Sequence, residues 1–110
     1  RSTLFPYTTL FRSRNMSSME FLHNILVPIM RGTDMYRFST DDMDSCAKVL
    51  DVLEVVSRHI EFGVVKEEHA MLFCSTALAN IGENEELVAA LRQRWEYKHL
   101  VRWLDRLAPG

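Results

Sequence analysis

The chain is poor in residues that staple or interrupt a fold. It has two cysteines, three prolines and four glycines in 110 residues. Cys46 and Cys74 stand far apart with no C-x-x-C, so free thiols are expected rather than a disulfide. Neither charge sign dominates, since 13 Lys and Arg face 15 Asp and Glu for a net charge of -2. That mild acidity argues against a general nucleic-acid or membrane binder. No apolar run approaches the roughly 20 residues that cross a bilayer. Low-complexity stretches, internal repeats, a G-x-S-x-G elbow and a phosphate loop are all missing from the sequence.

The opening "RSTLFPYTTLFRS", residues 1–13, has no structural logic. Pro6 blocks a helix, and Leu4, Phe5, Leu10 and Phe11 follow neither a helical nor a strand period. The tract lacks the continuous apolar core of a signal peptide. Over its whole length it resembles the translation of a short-read sequencing adapter, and it is set aside as non-native on that resemblance. The native start is then expected at Met16 or Met19, or upstream of the junction. Removing Arg1 and Arg12 moves the net charge from -2 to -4.

Residues 14–110 read as a single helical domain, too short for a large core and so modestly stable or stabilised by a partner. Ser17-x-x-Glu20 is a capping-box pattern. It opens a helix with Met19, Leu22, Ile25, Leu26 and Ile29 on one face, which Pro28 should end or kink. "ILVPIM" could also form a short strand, but nothing evident would pair with it. Gly32 and Asp34 mark a connection over 31–38.

Ser39 to Asp42 supply caps for a second helix running to about Phe62, with Gly63 as its stop. Met43, Cys46, Ala47, Val49, Leu50, Leu53, Val56 and Ile60, widened by Val52 and Val55, predict burial by more than one neighbour. A third helix is expected from about Val65 to Asn80, stopped by Gly82, with a narrow stripe of Ala70, Cys74, Ala77 and Ile81. Both cysteines fall on apolar faces and read as buried free thiols in a reducing cytoplasm.

Asn84 caps the last stretch, which reaches about Leu107. Its apolar residues form two arcs. Leu87, Val88, Leu91 and Trp95 lie roughly 160° around the axis from Tyr97, Leu100, Val101, Leu104 and Leu107. A break near Gln93–Glu96 or a helix touching two partners would explain this; the reading takes one long helix with a bend. The expected fold is thus all-α, a small bundle of four main helices.

E-x-x-H occurs twice, at Glu20/His23 and Glu96/His99. Di-iron bundles use two such pairs with a carboxylate from each of two other helices, which Glu54 and Glu68 could supply. The pairs do not point inward, however, so they read as solvated surface pairs, and no metal or cofactor is expected. His59 and His69 also map to solvated faces. A Cys–His nucleophile pair would need an accessible thiolate, the opposite of a cysteine on an apolar stripe. Catalysis has no positive support.

The strongest surface pattern is basic. Arg94, Lys98, Arg102 and Arg106 recur every four residues along one ridge of the last helix, interleaved with Trp95 and Trp103. Arg and Trp together typify interface hot spots. The same ridge could contact phosphates while its aromatics stack on bases. It could also be a solvated face at a helix C-terminus, where the macrodipole favours cations. Trp103 lies between the apolar arc and the ridge, so a core-edge position is the competing reading for it. The expectation is a non-catalytic interaction module, adaptor- or inhibitor-like, that binds a protein partner or a second copy of itself, in the cytoplasm and without a membrane. A small nucleic-acid-binding or regulatory protein using the same ridge is the alternative.

Overall fold

The computed structural model describes residues 16–109, so the opening tract 1–13 lies outside the described residues. Among the described residues there are five helices and no strand.

Helix α1 (residues 18–30) has three stretches: α-helical Ser18–Phe21, a π-helical turn Leu22–Leu26, and α-helical Val27–Met30. Its capping box is formed. Ser17 Oγ accepts from the Glu20 N–H at 3.1 Å, and Glu20 Oε1 accepts from the Ser17 N–H at 3.2 Å. Pro28 does not end this helix; it sits inside the last stretch, and the helix stops two residues later. The π turn supplies the reason. A proline cannot donate to the carbonyl four residues back, and its ring crowds that carbonyl. The wider turn just before Pro28, closed by Val27 N–H to Leu22 O, makes room for the ring. The extra width also shifts the buried set to Phe21, Leu22, Leu26 and Met30, leaving Met19, Ile25 and Ile29 half-buried.

In the following loop Asp34 Oδ1 accepts from the Arg37 N–H at 3.0 Å, and Met35 is buried. Asp42 then caps helix α2 (Met43–Glu61) by accepting from the Asp44 N–H at 3.2 Å. Gly63 turns the chain away at φ 79°, the left-handed region that a side chain would strain. α2 is the central element, packed against α1, against the helix that follows it, against the turn Trp95–Tyr97 and against the final helix. This accounts for its wide apolar face, with Cys46, Val49, Leu50, Val52, Leu53, Val55 and Val56 all buried.

Helix α3 (Glu67–Glu83) buries the expected stripe of Ala70, Cys74, Ala77 and Ile81, and Leu78 with it. Gly82 is not its stop. It lies within the last turn, and the helix ends at Asn84, whose backbone is extended at φ -96°, ψ 94°. Asn84 serves both sides of this corner. Its Oδ1 accepts from the Leu87 N–H at 3.0 Å to cap the next helix, while its Nδ2 donates to Thr40 O at 2.7 Å.

The expected long last helix is two helices, α4 (Glu85–Arg92) and α5 (Lys98–Leu107), so four main helices become five. Between them Arg94 is extended, at φ -119°, ψ 105°, and Trp95–Tyr97 forms one 3₁₀ turn. The cause is the pair of apolar arcs on opposite sides. A straight rod could bury only one of them against α2. Breaking the rod brings α5 back against both α2 and α4, so Leu87 and Leu91 share a core with Leu100, Trp103 and Leu104.

Candidate interaction surface

α5 is sharply two-sided. Leu100, Trp103 and Leu104 face inward, while Lys98, Arg102 and Arg106 stay exposed four residues apart. The helix break removes Arg94 from that ridge and puts it on the extended corner. There its guanidinium lies 5.7 Å from the Tyr97 ring centroid and pairs with Glu96 at 3.2 Å. Trp95 projects from the same corner, 77% exposed, with the Lys98 ammonium 5.5 Å from its ring. A cation over an indole holds the ring in place without covering it.

Trp103 is a correction to the expected surface. It is fully buried, the largest side chain in the core, and so belongs to the interior rather than the exposed ridge. On α5 it faces the same side as Leu100 and Leu104, rather than the edge between the apolar arc and the basic ridge.

The ridge also has internal work. Arg102 pairs with Glu61 at 3.1 Å and Arg106 with Glu67 at 3.4 Å, tying α5 to the end of α2 and the start of α3. Arg92 makes a two-pronged bridge to Asp105 between α4 and α5. Hydrogen bonding within that bridge raises the Arg92 pKa and lowers that of Asp105. The same cause raises Arg94 and lowers Glu96. These pairs are exposed, so they fix geometry more than they add stability.

Three histidines expected at solvated positions are engaged instead. His69 Nδ1 lies 2.8 Å from Ser18 Oγ, joining α3 to α1. His59 is buried, with Nδ1 donating to Val55 O at 2.8 Å. His99 Nδ1 lies 2.5 Å from Glu54 Oε2. The wide apolar face of α2 explains His59 and Glu54. Helix α2 is covered on so many sides that residues between its apolar positions are buried too. Glu54, offered by sequence only as a remote metal ligand, is 4% exposed. Its second oxygen accepts from the Leu100 N–H at 2.8 Å, at the start of α5. The usable signal was its position between Val52, Leu53, Val55 and Val56.

The two E-x-x-H pairs do not converge. Glu20 is in the capping box, His23 meets the edge of Phe73, Glu96 pairs with Arg94 and His99 pairs with Glu54. Among the described residues no group of three or more His, Cys, Asp or Glu could hold a metal ion. His99 Nε2 faces Glu61 at 3.9 Å rather than a hydroxyl or thiol. Both cysteines are buried free thiols; burial raises the Cys46 pKa and pushes that of Cys74 up to about 12. Burial, helped by its hydrogen bond to Asp51, raises the Tyr97 phenol as well. No described helix is long and apolar enough to cross a membrane.

His59 carries a pH prediction. Burial is the main cause holding its pKa below the ordinary value of 6.5. The folded protein therefore resists a proton that the unfolded chain accepts. Stability is then full above pH 6.5 and declines as pH falls from there toward the depressed folded value. The Tm measured by circular dichroism should drop between pH 7.5 and pH 5, and His59→Gln should flatten that drop. An equal slope in the variant would remove His59 as its source.

Comparison with known proteins leaves the surface to be read from its own geometry: no family model, curated protein or solved structure matches the chain.

Proposed function

We propose that this protein is a non-catalytic helical interaction module whose α4–α5 corner binds an acidic surface of a protein partner. The observation that carries the reading is Trp95, a large aromatic side chain left in solvent and steadied by Lys98. Exposed tryptophan beside arginine is the composition of an interface anchor. Lys98 lies over its ring, Arg94 precedes it in the chain, and Arg102 and Arg106 continue the positive charge along α5; all four are exposed. The surface residues are thus Arg94, Trp95, Lys98, Arg102 and Arg106, without Trp103.

For either an acidic protein or a nucleic-acid partner the carboxylates paired with Arg92, Arg94, Arg102 and Arg106 would have to be exchanged, and the chain's net charge of -2 weighs against the nucleic-acid reading. That reading predicts affinity falling steeply with salt.

The test is Arg94, Lys98 and Arg102 all changed to Glu, compared with wild type for the partners each captures. Loss of the wild-type partners is expected; retention of every one would sink the surface assignment. Trp95→Ala should likewise weaken binding while shifting the unfolding free energy by no more than about 0.5 kcal/mol, because an exposed ring contributes little to folding.

A further inference from the structure

The outward face of α3 carries the longest uncharged run among the described helices. From Ala70 to Gly82 the sequence has no charged residue. A helix with one solvated face normally places its charges there. Yet Leu72, Ser75, Thr76 and Ala79 are all exposed, and Leu72 is 69% exposed. At 100° per residue these four fall within about 100° of one another, a single narrow stripe at helix-contact spacing. Beside it runs a groove of about 510 Å³ lined by residues of α3, α4 and α5: the apolar Leu78, Val88 and Leu104 together with Glu83 and the paired Arg92 and Asp105.

We infer that this stripe is a self-association surface, covered by α3 of a second copy running antiparallel to it. This rests on the reading of the chain as an interaction module, but it uses a different face. The charge pattern selects the occupant. A two-fold contact sets a patch against itself, so any charge at its centre meets its own kind. Three turns without charge satisfy that demand, whereas the basic corner does not.

Shape agrees. With the axis between Ser75 and Thr76, Leu72 of each copy lies over Ala79 of the other, a large residue on a small one, twice. Ser75 and Thr76 face their counterparts at the centre, where small side chains allow the helices to approach closely. The charged ends of the stripe are Glu68 and Glu83, which this register brings toward each other. They lie about 11 Å from the axis, and a crossing angle of about 50° splays them further apart. Their residual repulsion is screened by salt. The stripe alone is small beside the roughly 800 Å² per partner of a standard interface, and the adjoining groove extends it.

Sedimentation equilibrium of the full chain tests this. A dimer is expected whose association strengthens between 50 and 500 mM salt, on the order of the Debye screening change. Ala79→Glu should raise the dimer dissociation constant by at least about tenfold with an unchanged circular dichroism spectrum. Ser75→Cys should oxidise to a covalent dimer and Glu83→Cys should not; the native cysteines, both buried, do not compete. A monomer at every concentration would overturn the inference and leave the Trp95 surface standing. A dimer untouched by Ala79→Glu but broken by charge reversal at Arg94, Lys98 and Arg102, and weakened by salt, would overturn it in favour of the corner.

Discussion

Trp103→Ala is expected to leave the chain barely folded at 37 °C. The side chain is fully buried where α5 meets the rest of the core. Truncating a buried tryptophan costs about 3–5 kcal/mol, because the lost burial and the cavity add. A domain of this size has roughly 5–15 kcal/mol in total. A fifth or more of its stability thus rests on one residue. Urea denaturation followed by far-ultraviolet circular dichroism should show the midpoint collapse. Trp103→Phe should lose much less. The indole Nε1 is buried without a hydrogen-bond partner among the described residues, and an unsatisfied donor costs about 1–3 kcal/mol. Phenylalanine removes that donor and keeps most of the ring. A wild-type midpoint for Trp103→Ala would show that the core does not depend on this contact.

Glu54→Ala is the second large effect. Glu54 is a buried carboxylate on α2 that holds both His99 and the Leu100 N–H, two consecutive residues in the first turn of α5. Arg58, one turn along α2, lies 3.6 Å from it. Deleting the carboxylate leaves a buried N–H and a partly buried imidazole without their acceptor. Removing one partner of a buried pair costs about 3–5 kcal/mol. Glu54→Gln keeps an acceptor for Leu100 but turns an NH2 toward His99 and removes the charge, and should cost roughly half of that. Glu54→Ala combined with His99→Ala should destabilise less than the two singles added together, by about 1 kcal/mol or more. Strict additivity in that cycle would show that the two residues do not act as a pair.

Much of the local structure was legible because it depends on neighbours in sequence. The Ser17/Glu20 box, the Asp42 and Asn84 caps and the Gly63 turn each join groups three or fewer residues apart or follow from one residue's own freedom. The wide face of α2 announced a helix with several neighbours, and that is where it sits. Pro28 as an end and Gly82 as a stop were misread for the opposite reason. A π turn upstream accommodates the one, and Asn84, a better terminator nearby, makes the other unnecessary.

The candidate surface was half legible. Period-four spacing found Lys98, Arg102 and Arg106, because α5 carries all three on one side. The same spacing wrongly included Arg94, which the corner takes off the helix. The uncharged run from Ala70 to Gly82 was visible in the sequence, but its meaning was not. An uncharged helix is ordinarily an enclosed one, and only the packing shows which of its faces is left open.

Composition and periodicity alone therefore determined that the chain is helical, where α1, α2 and α4 begin and α2 and α5 end, and that its cysteines are buried thiols. These depend on local dihedral preference, short-range hydrogen bonds and a one-dimensional apolar pattern. The tertiary structure alone decided that the last helix breaks, that Trp103 turns inward, that Glu54 and His99 meet across 45 residues, and that α3 keeps an uncharged face in solvent. Each of these depends on which other helix occupies the space alongside, and local spacing does not carry that information.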